Sequence, residues 1–108
     1  MAEQQKENHH FKAKIFKALA DPLRLEILSF IGNEEKCVCE IVAKMDVVQP
    51  LISRHLKILK DNGILNFRKE MNKRFYSVTD KRIFDIIDKL SPHLCDEISN
   101  AIIKQIRV

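Results

Sequence analysis

The sequence predicts a mostly α-helical domain that carries one β-hairpin. Apolar residues recur at helical spacing along most of the chain, whereas residues 65–78 alternate as a pair of strands would. With only 2 glycines and 3 prolines, the chain has little room for the many turns of a β-sandwich. Its 108 residues, 45% hydrophobic and 31% charged, suit one domain with its own core. We therefore treat residues 1–108 as a single domain.

Two helices are predicted at the start of the domain. Apolar residues at helical spacing begin at Phe11, so the first helix is amphipathic and residues 1–10 form a flexible arm. Asp21 can cap a second helix, and Pro22 suits its first turn. This second helix is apolar on nearly every side until Gly32, which predicts a central position in the core.

The next two segments predict a helix-turn-helix. A short helix is expected over residues 37–45, and a longer one lies between a start signal at residues 49–50 and a stop signal at residues 62–63. A tight turn around Asp46 would join them. The apolar stripe of the longer helix consists of Ile52, Leu56 and Leu59.

A hairpin follows directly. Residues 65–68 alternate between apolar and polar, residues 75–78 are again typical of a strand, and residues 70–73 are polar enough to form the turn. A hairpin placed after a helix-turn-helix is a wing. The predicted fold class is therefore a winged helix-turn-helix.

The last helical region, residues 81–108, predicts a dimer. Its apolar residues exceed what one small core can cover, which favours dimerisation helices over additional intrachain core. Within it, Ser91-Pro92 either kinks one helix or separates two.

Positive charge is concentrated in the predicted helix-turn-helix and wing. Residues 49–76 contain seven basic and two acidic residues, a net charge of +5, so the rest of the chain carries −1. Such a cluster can be an ordinary solvated face. Its position on a helix-turn-helix and a wing instead favours a nucleic-acid surface.

The predicted partner of this surface is double-stranded DNA. Residues at the start of the longer helix would reach base edges in the major groove, where Gln pairs with adenine and Arg with guanine. Basic residues further along this helix and on the wing would contact phosphates, and the wing bases could also enter the minor groove. His55 also has a structural interpretation, as a buried or capping residue. The candidate DNA-binding residues are Gln49, Pro50, Ser53, Arg54, His55, Lys57, Lys60, Arg68, Lys73 and Arg74.

Three motifs, in this order and spacing, resemble the ArsR/SmtB family of metal-responsive repressors. They are residues 18–28 (ALADPLRLEIL), 37–41 (CVCEI) and 49–56 (QPLISRHL), and the similarity spans roughly residues 15–79. The resemblance implies a homodimeric winged helix that represses its own operon and leaves the DNA when an inducer binds.

Cys37 and Cys39 are the candidate sensing residues, although small, half-buried structural cysteines are the alternative. Their soft thiolates suit As(III), Sb(III), Cd(II), Pb(II) and Zn(II). Side chains two residues apart on a regular helix point about 200° away from each other. We therefore expect both sulfurs to reach one ion only if that turn unwinds, which would move the DNA-reading surface.

The arsenic-sensing members of the family carry Cys-x-Cys-x-x-Cys here, but this chain has Val42 at the third position. Cys95 could supply the third sulfur from its own chain or from a partner, or it could be a core-facing residue of a dimer helix.

Two other signals fit these cysteines. Members of the family that sense Cd(II), Pb(II) or Zn(II) join the same Cys-x-Cys to N-terminal ligands, for which His9 and His10 are the candidates. The cysteine pair, or Cys39 with Cys95, could also be oxidised, and a neighbouring Lys36 would favour this by lowering a thiol pKa. The family's zinc site across the dimer helices needs an Asp-x-His pattern that this sequence lacks.

Other classes of protein have less support. The sequence has no glycine-rich phosphate loop and no recognisable Ser/His/Asp arrangement, so neither an enzyme nor a required cofactor is expected. A protein-interaction adaptor that uses the stripe in residues 81–108 is the main alternative. The polar start and the odd cysteine count predict a cytoplasmic protein with reduced thiols and no membrane segment.

Overall fold

The computed structural model describes the backbone of residues 2–107 and the side chains of residues 8–107. Its helices and strands confirm the predicted fold class, a mostly helical winged helix-turn-helix. In chain order they are α1 (Ala2–Leu19), α2 (Pro22–Ile31), β1 (Lys36–Cys37), α3 (Val38–Met45), α4 (Gln49–Asp61), β2 (Leu65–Glu70), β3 (Lys73–Val78), α5 (Arg82–Asp88) and α6 (Pro92–Ile106).

Helix α1 is longer than the sequence predicts. It begins at Ala2, so the expected flexible arm over residues 1–10 is replaced by helix from Ala2 onward. Residues 2–10 contain no glycine, no proline and no β-branched residue, and several of them are strong helix formers. Because nothing in this stretch stops a helix, α1 can extend through it.

Helix α2 begins where the sequence predicts. Asp21 is extended, with φ −156° and ψ 130°, and its carboxylate accepts hydrogen bonds from the N–H groups of Leu23 at 2.9 Å and Arg24 at 3.2 Å. The helix ends at Gly32, whose φ of 56° suits a residue without a Cβ. Both ends of the central helix are thus fixed by local chemistry.

Asp21→Ala should lower the free energy of unfolding, because two N–H groups at the start of α2 lose their acceptor. The N–H groups of Arg24 and Leu23 hold the pKa of Asp21 below its ordinary value of 3.8. The contribution of Asp21 is therefore complete above about pH 4 and is lost as pH falls through the lowered pKa. Denaturant titrations at neutral pH and below about pH 3 should show a deficit that shrinks in acid. Asp21→Asn is the control, since asparagine caps without charge; an equal deficit at both pH values would contradict this account.

The core lies where α2, α3 and α4 meet the sheet. The helix-turn-helix formed by α3 and α4 turns at Asp46, which adopts φ 54° and ψ 45°, so the tight turn predicted around this residue is confirmed. The side chains that are almost fully buried are Ile27, Leu28, Ile31, Ile41, Ile52, Leu56, Leu59 and Ile64. This packing orients α4 with its opposite side toward solvent.

The sheet has three antiparallel strands in the order β1-β3-β2. Strands β2 and β3 form the predicted hairpin, which turns at residues 71–72, and Met71 takes a φ of 54°. Strand β1 was not predicted. It has only two residues, Lys36 opposite Tyr76 and Cys37 opposite Phe75, and it ties the start of α3 to the wing.

Ser91-Pro92 separates two helices, which resolves the alternative left open by the sequence. The Ser91 hydroxyl accepts a hydrogen bond from the Leu94 N–H at 3.3 Å and caps α6. No residue of α5 or α6 is fully buried. Many large apolar side chains of α5, α6 and the turn between them are exposed, namely Ile86, Leu90, Leu94, Ile98, Ile102, Ile103 and Ile106. No helix in the described part of the chain is both long and apolar enough to cross a membrane.

Candidate nucleic-acid interface and cysteine pair

Helix α4 divides into a buried and an exposed side. The apolar stripe is completely buried, as predicted. The candidate DNA-binding residues on the other side are either exposed or half-buried: Gln49, Pro50, Arg54 and Lys57 are exposed, and Ser53, His55 and Lys60 are half-buried. The first turn of α4 is therefore free to approach a groove of DNA.

Two basic residues of α4 already share an acidic partner within the helix. The Lys57 Nζ lies 2.8 Å from an oxygen of Asp61, and Lys60 lies 3.9 Å from the same carboxylate. The hydrogen bond raises the pKa of Lys57 and lowers the pKa of Asp61. Because the pair is exposed, a DNA phosphate could replace Asp61 as the partner of Lys57. Lys57 would then give up its contact with Asp61.

His55 has a structural partner. Its Nδ1 lies 3.0 Å from Nη1 of Arg24, and the same guanidinium donates from Nε to the carbonyl oxygen of Ala18 at 2.6 Å. Nη2 of Arg24 also donates to the carbonyl oxygen of Lys17 at 3.4 Å. Arg24 thereby links the end of α1 to α4, and one ring nitrogen of His55 takes part in this link.

Arg68 is held by two carboxylates. Its Nη2 lies 2.6 Å from Glu35 Oε1, its Nη1 pairs with Glu70, and its guanidinium carbon lies 4.6 Å from the centre of the Phe75 ring. The hydrogen bonds that Arg68 donates, first to Glu35 and then to Glu70, raise the pKa of Arg68, and Arg68 in turn lowers the pKa of Glu35. Arg68 thus fastens the wing to the loop before β1, an interaction the sequence analysis missed because Glu35 lies 33 residues away.

The other wing bases have no such partner. Within residues 8–107, neither Lys73 nor Arg74 forms an ion pair, and both side chains are exposed on β3. At the turn next to them, Met71 is 91% exposed. Lys69 on β2 is likewise exposed and without an ion pair among these residues, so the wing presents three uncompensated positive charges.

Cys37 and Cys39 are brought together, but not in the way the sequence predicts. Cys37 is not part of α3; it ends β1 and precedes the helix with extended angles, φ −74° and ψ 149°. The two residues, with Cα atoms 5.3 Å apart, are joined as a disulfide, whereas the sequence analysis predicted reduced thiols. The expectation that the helix must unwind is therefore wrong, because an extended residue before the first turn already directs its sulfur toward Cys39.

The same residue caps α3. The Cys37 sulfur accepts a hydrogen bond from the Cys39 N–H at 3.3 Å, and the Glu40 carboxylate accepts one from the Cys37 N–H at 3.3 Å. This is the reciprocal arrangement of a capping box, with sulfur where serine or threonine is usual. Cys37 is 5% exposed, whereas Cys39 faces solvent.

The cysteine pair and the DNA-binding candidates share one cleft. This recognition cleft has a volume of about 420 Å³ and lies between the starts of α3 and α4 and the wing. The residues that matter in its lining are Cys37, Cys39, Gln49, Ser53, Lys73 and Arg74. Chemically, the cleft combines two soft sulfur atoms with two cations and several polar side chains.

The remaining candidate ligands lie elsewhere. Cys95 is exposed on α6 and its sulfur lies 3.8 Å from the carbonyl oxygen of Leu90, so in a single chain it is not core-facing. His9 and His10 are exposed on α1. Across the residues that the structure describes, no three His, Cys, Asp or Glu side chains gather into a metal site. One chain therefore offers two sulfurs to an ion and no third ligand beside them.

Comparisons with known proteins agree with this architecture. The profile of the arsR family of bacterial regulatory proteins matches residues 21–66. An uncharacterised HTH-type transcriptional regulator of Methanocaldococcus jannaschii is 45% identical over 82 residues, which cover 75% of this chain and 92% of that protein. The arsenical resistance operon repressor of Staphylococcus aureus is 38% identical over 77 residues, covering 71% of this chain and 74% of the other. Among solved structures, reduced HlyU from Vibrio cholerae has a TM-score of 0.73 at 27% identity and covers 83% of this chain and 98% of its own.

Proposed function

Because this chain belongs to the arsR family of bacterial regulatory proteins, we propose that it is a homodimeric repressor that a thiol-directed signal at Cys37 and Cys39 releases from operator DNA. The family and the relatives are transcriptional regulators, so the chain is a DNA-binding regulator and not an enzyme. One observation carries the proposal: the two sulfurs lie in the recognition cleft together with side chains of α4 and the wing.

The signal that fits best is As(III) or Sb(III). Once the disulfide is reduced, as a cytoplasmic thiol pool would do, two As–OH groups of arsenous acid react with the two thiols, so that two As–S bonds form and two waters leave. Thiolates are the ligands that these soft ions prefer, and the pair needs no rearrangement of α3 to present both. The third position on arsenic can keep its hydroxide or take Cys95 from a second copy. The name of the Staphylococcus aureus relative, an arsenical resistance operon repressor, supports this choice.

Anisotropy of a labelled duplex from upstream of the gene, titrated with reduced protein, tests the proposal. Binding should weaken with salt, and arsenite should release the DNA at about one equivalent per subunit. Binding that arsenite leaves unchanged would exclude As(III) and turn attention to Cd(II), Pb(II) and Zn(II). Binding that is absent even at low salt would contradict a DNA-binding repressor and favour the adaptor.

A redox switch is the second candidate, because the two cysteines are joined as a disulfide in this structure. A hydroperoxide would take two electrons from the pair, forming one S–S bond while the peroxide becomes an alcohol and water. Peroxide should then release DNA from the reduced protein, and dithiothreitol should restore binding. If arsenite releases the DNA and peroxide does not, the redox switch is rejected.

The homodimer follows from the exposed apolar surface of α6. Leu94, Ile98 and Ile102 recur every four residues along one side of this helix, and all three are exposed in the single chain. An apolar stripe of this kind is stabilised when a second copy covers it.

Ile98→Glu should separate the dimer, because two carboxylates would be buried at its interface. Sedimentation should show a monomer, and DNA affinity should fall because the two half-sites are no longer linked. Asn100→Glu places the same charge on the polar side of α6 and is the matched control. A dimer that survives Ile98→Glu would place the interface elsewhere.

A further inference from the structure

We propose that the inducer and the operator exclude each other by direct overlap in the recognition cleft of each protomer. Bound DNA then shields Cys39, and a group attached to Cys39 alone weakens DNA binding. The inference rests on the proposed function, since it assigns the cause of release. It differs from a switch in which both sulfurs must be bridged to deform a helix.

The first support is the position of the sulfur that a reagent can reach. Cys37 is buried under the wing by its pairing with β3, whereas Cys39, in the first turn of α3, is exposed. Gln49 and Ser53 line the same cleft from α4. A base or phosphate that contacts these side chains would therefore enter the cleft that Cys39 also lines.

The second support is the charge of the opposite wall. Lys73 and Arg74 line the cleft, and within residues 8–107 no carboxylate pairs with either. A DNA phosphate between the wing and α4 would neutralise them. A negatively charged group on Cys39 would compete for the same cations, so its charge as well as its size would oppose DNA.

The third support is the cap of α3. Since Cys37 is already outside the helix, an ion can bind both sulfurs while Glu40 keeps its hydrogen bond to the Cys37 N–H. Ligand binding can then leave α3 in place, so no helix movement is needed to carry the signal. Direct competition accounts for release with the geometry that is present, and linkage makes the exclusion reciprocal.

The first experiment measures protection of Cys39. Cys37→Ser is a suitable background, because a serine oxygen can accept the Cys39 N–H and preserve the cap. Reduced protein is treated with iodoacetamide, with and without saturating duplex from upstream of its gene. DNA should slow alkylation of Cys39 at least tenfold and leave Cys95 unchanged. In the wild-type protein, fragmentation of the peptide separates Cys39 from Cys37 and gives the same readout if the variant does not fold.

The second experiment compares two adducts of similar size. In Cys37→Ser/Cys95→Ser, iodoacetamide or iodoacetate forms an S–C bond at Cys39 as the C–I bond breaks, iodide leaves and the thiol proton passes to water. The neutral adduct should weaken DNA binding several-fold, and the anionic adduct should weaken it at least tenfold more. This difference is the signature of competition for Lys73 and Arg74.

The outcomes separate this inference from the function on which it rests. Unmodified protein that does not bind the duplex would overturn the proposed repressor and this inference together. DNA binding without protection of Cys39, or with adducts that bind as well as unmodified protein, would overturn direct overlap alone.

Discussion

Replacing Cys39 with serine should leave DNA binding intact and abolish its release by arsenite. Cys39 is exposed and supports no core packing, so the recognition cleft keeps its shape. The remaining thiol can form only one As–S bond, so the gain in arsenite affinity that comes from two sulfur ligands in one site is lost. We expect the arsenite concentration for half-release to rise roughly a hundredfold or more. Anisotropy with the labelled duplex measures both properties in one titration.

Cys37→Ser should have the same effect with the cap of α3 preserved. Cys95→Ser is the comparison that decides the third ligand. An unchanged half-release concentration would exclude Cys95, and an increase would assign it as a sulfur from the second copy. Normal release from Cys39→Ser would refute sensing by the pair.

The second large effect is expected on the wing. Lys73→Ala/Arg74→Ala should lower DNA affinity strongly and reduce its dependence on salt, because both cations are unpaired among the described residues. Each lost phosphate contact reduces the slope of log affinity against log salt by about 0.9, so four lost contacts in a dimer reduce it by about 3.6. Binding at several salt concentrations gives the slope directly.

Arg68→Ala is the matched control for the wing. Because Glu35 and Glu70 already hold Arg68, its removal should leave the salt slope nearly unchanged. It should instead lower the thermal stability, since the wing loses its link to the loop before β1. A slope that falls as far as in the double variant would show that Arg68 releases its carboxylates to bind phosphate.

The helix-turn-helix could be predicted from sequence because its signals are local. Asp21 and Gly32 mark the ends of α2, and the start and stop signals of α4 are equally close to it in the chain. Such signals act through hydrogen bonds and backbone angles within a few residues. A single sequence is sufficient to read them.

What the sequence could not predict depends on distant partners. Strand β1 exists because Lys36 and Cys37 pair with residues nearly forty positions later, and a two-residue strand has no pattern of its own. Moving the start of α3 by one residue, from Cys37 to Val38, was enough to reverse the expected geometry of the sulfurs. The ion pair between Arg68 and Glu35 could not be predicted for the same reason, since the two residues are distant in the sequence.

The sulfur that caps α3 bears on how a regulator of this kind can change over generations. The fold needs an acceptor at residue 37, and oxygen and sulfur can both fill that position. Under the proposed function, exchanging one atom between cysteine and serine would therefore turn the response to arsenite on or off while the DNA-reading surface persists. That response would then be lost or regained by a change of a single codon, without loss of DNA binding.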